Sequence, residues 1–186
     1  MLFNLLTEIF EFVVVLLLVY GFYKHSKVLE KFGFSLKRIE WKNAISIFLL
    51  VVLVDLFFIW FSKPVEIPAN NYSVIHGLIL SPIWEEIVFR GLLLGAPLVV
   101  LLKINSKIRE TSLSFNFLAL FLLLFQAAVF FLAHPSGSAI VLVNGLLFGL
   151  IYLLFKKNLL SSMVAHSTAN LLVIIIQFFG LLSVIH

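Results

Sequence analysis

The sequence predicts an all-α fold, a polytopic transmembrane helix bundle of about six spans. Composition makes the first part of the case. Hydrophobic residues form 62% of the chain and charged residues 12%, with a mean hydropathy of +1.17. Soluble domains carry about 45–50% and about 25% respectively. The second observation is that the apolar runs are continuous and about 20 residues long, enough to cross a hydrocarbon core of ~30 Å. Only helices and closed barrels satisfy every backbone group in lipid, and runs that do not alternate exclude a barrel. The third is the alternation of basic and non-basic loops. The length of 186 residues fits a single membrane-embedded domain, 1–186.

The expected spans are roughly 3–22, 43–62, 73–102, 115–134, 138–155 and 159–184. The first carries Glu8 and Glu11, with no basic leader and no small-residue cleavage site, so it reads as a span and not a signal peptide. The second holds a solitary acid, Asp55, expected to line a cavity or to pair with a residue on another span. Pro64 and Pro68 mark an exposed connection. The third span is too long for one upright helix, and Gly91, Gly95 and Pro97 suggest a bend or an end past Arg90. The fourth closes at His134, ahead of Pro135. In the fifth, Asn144 precedes Gly145 and Gly149, a G-x-x-x-G face suited to close helix packing. The sixth carries His166 and Asn170.

Nearly all of the 13 basic residues fall in alternate loops: Lys24 to Lys42, Lys103 to Arg109, and Lys156 with Lys157. The positive-inside rule then makes those loops cytoplasmic and both termini external, in a multi-pass protein of the cell membrane. The net charge of +4 belongs to these loops, so no nucleic-acid partner is expected. The expected partners are membrane lipid and a peptide or protein substrate entering from the membrane or the cytoplasm. The absence of cysteine excludes disulfides, thiolate nucleophiles and thiolate metal ligands.

Ionisable residues within spans are costly and mark functional sites by default. Glu85, Glu86 and Arg90 together cost nominally ~8–10 kcal/mol at mid-membrane, against a typical domain stability of about 5–15 kcal/mol. Glu86 and Arg90, four apart, share a helix face and can pair. Glu85 is rotated ~100° away and has no obvious partner on its own helix. His134, His166 and Asn170 add polar groups on two further spans. A rise of 1.5 Å per residue puts Glu85 and His166 ~18–20 Å from the outer edge and His134 near the outer surface.

Several intramembrane chemistries are excluded. There is no H-E-x-x-H zinc motif, only one aspartate and therefore no aspartyl pair, and no G-x-S-G. A glutamate and a histidine able to activate water remain, with a histidine and an asparagine as donors to an oxyanion.

The run Glu85-Glu86-x-x-x-Arg90-Gly91, then Phe130-x-x-x-His134, Asn144-Gly145-x-x-x-Gly149 and His166-x-x-x-Asn170 resembles the CAAX-protease and bacteriocin-processing (CPBP, or Abi) membrane family, which includes the type II CAAX prenyl endopeptidases. The match covers roughly residues 73–180. The resemblance implies an intramembrane endopeptidase in which Glu85 activates water with help from His134. His166 and Asn170 would stabilise the oxyanion, and Glu86 and Arg90 would form a structural ion pair. No cofactor is favoured; a divalent metal such as zinc, if bound, would take Glu85, His134 and His166. Rival roles are a non-catalytic membrane partner, for bacteriocin immunity or signalling, and a proton-coupled transporter.

Overall fold

The computed structural model describes residues 39–61, 74–104, 113–134 and 138–179, with isolated positions between 13 and 30. Five helices are described: α1 (Trp41–Phe61), α2 (His76–Ile104), α3 (Leu113–Ala133), α4 (Ala139–Leu154) and α5 (Leu159–Phe178). Four of them, α1, α2, α3 and α5, are long and apolar enough to cross a membrane, whereas α4 has 16 residues. The expected first span lies largely outside the described residues, as does the end of the sixth.

The distribution of side chains is that of a protein dissolved in hydrocarbon. Leu53, Phe117, Phe121 and Phe178 point outward, while Asp55, Glu86, Arg90 and Gln126 are fully buried. Lipid tails give apolar residues no reason to hide, so packing and polar contacts select what goes inside.

Glycines set how closely the helices approach. A Cβ on Gly145 would lie 3.3 Å from Ala127 Cα on α3, and one on Gly149 would lie 2.6 Å from Gln126 Nε2. The G-x-x-x-G face of α4 therefore seats α3 directly on its backbone. On α2, a Cβ at Gly95 would collide with the Tyr152 hydroxyl. Helix α5 lies against α1, α2 and α4, and α3 closes the other side against α2 and α4.

Helix α2 does not end past Arg90; it continues through Gly91, Gly95 and Pro97 to Ile104. An α-helical stretch, Ser81–Glu86, is flanked by two π-helical stretches, His76–Leu80 and Ile87–Gly95. These wide turns absorb the irregularity that the glycines and proline suggest, and such turns concentrate at functional sites. Pro82 has no N–H, so it removes the donor that Gly77 O, five residues back, or Leu78 O, four back, would receive. Both carbonyls accept from α5 instead: Asn170 Nδ2 donates to Gly77 O at 2.6 Å, and Ser167 Oγ donates to Leu78 O at 2.8 Å.

Candidate active site

The pair Glu86–Arg90 forms the floor of the site. Arg90 Nη1 lies 3.1 Å from Glu86 Oε1, both side chains fully buried. Arg90 Nη2 also donates to Gly145 O at 3.1 Å, and its guanidinium lies 4.7 Å from the Phe130 ring centre and 5.4 Å from that of Phe148. Ring faces and a carbonyl thus replace the water an exposed guanidinium would have. Gln126 Nε2 donates to the same Gly145 oxygen at 2.8 Å. Without a Cβ at 145 and 149, three helices meet at this carbonyl.

Above the floor, Glu86 Oε1 also meets His166 Nδ1, at 2.9 Å. A carboxylate can only accept, so His166 carries hydrogen on Nδ1 and turns Nε2 away from Glu86. The ring is held by stacking on Phe148, with centres 5.0 Å apart, and by the edge of Phe130 at 5.9 Å. His134 follows the same rule with a different anchor. Its Nδ1 donates to Phe130 O at 2.7 Å, which again leaves Nε2 as the outward-facing atom.

Both Nε2 atoms face one oxygen. Glu85 Oε2 lies 3.5 Å from His134 Nε2 and 3.8 Å from His166 Nε2. The other carboxylate oxygen, Oε1, accepts from Ser81 Oγ one turn back on α2. Glu85 therefore does have a partner on its own helix, which the angular argument from Arg90 and Glu86 overlooked. The signal was present as Ser81-x-x-x-Glu85, the same four-residue spacing that joins Glu86 to Arg90. The Glu85 side chain is 8% exposed and that of His134 31%, so the site opens on the His134 side.

The structure brings Glu85, His134 and His166 together, which corrects the reckoning that put His134 at a different depth from the other two. That count assumed a uniform 1.5 Å rise from guessed span ends. The wide turn His76–Leu80 ahead of Glu85 advances less per residue than that count allows. Asn170, one turn beyond His166, spends an amide hydrogen on Gly77 O. Asp55 sits behind the site, fully buried on α1, beside Asn144 and within electrostatic reach of His166. Among the described residues, neither of its carboxyl oxygens meets the geometry of a hydrogen bond.

Among the described residues, no group of three His, Asp or Glu side chains is spaced to hold a metal ion. Glu85 Oε2 and the two histidine Nε2 atoms are three polar atoms turned toward one another. Separations of 3.5 and 3.8 Å exceed direct hydrogen bonds and suit groups that share a small polar molecule.

No curated protein and no solved structure matches the chain. A family model described as type II CAAX prenyl endopeptidase, Rce1-like, matches residues 68–172. That segment includes Glu85, Glu86, Arg90, His134, His166 and Asn170, and leaves out α1 with Asp55. With more than half its length matched, and with its acids and histidines gathered inside an apolar bundle, the chain belongs to the Rce1-like family of type II CAAX prenyl endopeptidases, and so to a family of membrane proteases.

Proposed function

We propose that this protein is a multi-pass intramembrane endopeptidase in which Glu85 and His134 activate water against a peptide bond. The observation that supports it best is the approach of two histidine Nε2 atoms to a single oxygen, Glu85 Oε2. A water hydrogen-bonded to Glu85 Oε2 and His134 Nε2 loses a proton to the carboxylate as its oxygen adds to the carbonyl carbon. The tetrahedral oxyanion is stabilised by a hydrogen donated from His166 Nε2 and by the second amide hydrogen of Asn170. The proton passes from Glu85 to His134 and on to the departing nitrogen, which completes hydrolysis and returns Glu85 to the carboxylate. Each preorganised donor in a dry site is worth about 2.7–4 kcal/mol. Glu86 and Arg90 touch no substrate in this scheme; Glu86 accepts from His166 Nδ1 and so keeps Nε2 turned toward Glu85.

The mechanism is of the glutamate type and uses no cofactor. A zinc-dependent variant would recruit the same three side chains. The substrate is a peptide or protein segment presented at the membrane, with a prenylated CAAX-type tail as the class the family suggests; membrane lipid is a further partner. The test is cleavage of a fluorogenic farnesylated peptide ending in a CAAX sequence, by wild type and Glu85→Gln in liposomes, with and without chelator. Cleavage lost in Glu85→Gln and indifferent to chelator is the expected result. Loss of wild-type activity on chelation would overturn the metal-free mechanism. A Glu85→Gln protein as active as wild type would remove Glu85 from the mechanism, and absence of cleavage by wild type would sink the protease reading and leave the non-catalytic partner.

A further inference from the structure

Glu85 has two carboxylate oxygens that are chemically equivalent until something distinguishes them. Rotation about the last side-chain bond exchanges them, and that torsion is broad and soft. In this site the two have different neighbours: Oε1 accepts from Ser81 Oγ, whereas Oε2 faces the Nε2 atoms of His134 and His166. Ser81 itself is firmly placed. It stands where α2 changes from the π to the α register, and its N–H reaches back to His76 O. The turn just before it is held from α5 at two carbonyls, Gly77 and Leu78, by Asn170 and Ser167. The same α5 carries His166. Helix α5 therefore reaches the carboxylate by two routes, through the His166 ring on one oxygen and through the backbone of the wide turn and Ser81 on the other.

We propose that Ser81 is a positioning residue for Glu85, whose hydroxyl fixes Oε1 and so presents Oε2 as the oxygen that takes the proton from water. The inference rests on the endopeptidase reading for its catalytic consequence and on geometry alone for the contact. A hydroxyl one helical turn below the carboxylate acts without touching substrate, as a preorganised support does when misplacement by about an ångström costs about 100-fold in rate.

Two measurements on the full chain in liposomes test it. The first does not depend on turnover. The infrared carboxylate band assigned to Glu85, by subtraction of the Glu85→Gln spectrum, shifts in Ser81→Ala and stays at the wild-type position in Ser81→Thr. An unmoved band in Ser81→Ala overturns the inference. The second is cleavage of the farnesylated peptide. Ser81→Ala lowers kcat about 10- to 100-fold with KM unchanged, Ser81→Thr restores it, and Ser81→Ala adds nothing in a Glu85→Gln background. A loss shared with the thermal midpoint, no rescue by threonine, or an additive effect on Glu85→Gln would each assign Ser81 a merely structural role. Absence of cleavage by the wild-type protein would count against the endopeptidase reading, and the infrared result would still decide the role of Ser81.

Discussion

His134 and His166 approach Glu85 through the same ring atom, Nε2, but lean on unlike supports: a backbone carbonyl, Phe130 O, for the first and a fully buried carboxylate, Glu86, for the second. Their substitutions therefore separate. His134→Ala removes a side chain that is 31% exposed, so activity falls about 10²–10⁴-fold while the thermal midpoint in detergent changes little. His166→Ala lowers both, because it also deprives Glu86 of a donor and leaves a void against Phe148. Paired melting curves and initial rates check this; equal stability losses for the two would contradict it.

Glu86→Gln and Arg90→Leu should each cost about 3–5 kcal/mol, since each strands a fully buried charge. The double variant should lose less than the sum of the singles, with a coupling of about 0.5–3 kcal/mol. Denaturation of all four proteins in one detergent gives the cycle, and additive losses would show that the pair does not act as a unit.

Asp55→Asn should leave stability unchanged or raise it by about 1 kcal/mol. The carboxyl is buried within reach of the Asn144 amide, and Asn144 Oδ1 meets no donor in hydrogen-bond geometry among the described residues. An amide of the same shape can donate to Asn144 Oδ1. A drop in melting temperature would mean that the negative charge itself is required.

Gly149→Ala should destabilise by about 1–3 kcal/mol through overpacking. The new methyl group would lie 2.6 Å from Gln126 Nε2 and would push that amide off Gly145 O. Gln126→Leu in the same background should recover little, because Leu123 Cδ1 is in the way as well. Thermal unfolding of the single and double variants checks both statements.

Much of this arrangement can be read on paper because spacing within one helix is a local property. A spacing of four from Glu86 to Arg90 is enough to bring the side chains together, and runs of about 20 apolar residues mark α1, α2, α3 and α5. What depended on other helices was harder to see. Gln126 lies within an apolar run and gives no pattern of its own; its importance comes from Gly145 O arriving from α4. The π turns of α2 have no simple sequence mark, and without them the depth of Glu85 relative to His134 is misjudged. Asn170 reads as a donor to an oxyanion and Ser167 carries no mark in the sequence, and their hydrogen bonds to Gly77 and Leu78 become intelligible only once Pro82 is seen to leave a carbonyl without its donor.

Helix α5 supplies His166, Ser167 and Asn170, one group facing Glu85 and two gripping the turn below it. It is the last of the described helices to leave the ribosome. During synthesis the earlier spans enter the membrane with Glu85 already present but with its turn unfastened and one histidine absent. On the proposed mechanism, a centre completed by its final described helix is silent in the nascent chain, and truncation before Leu159 abolishes cleavage.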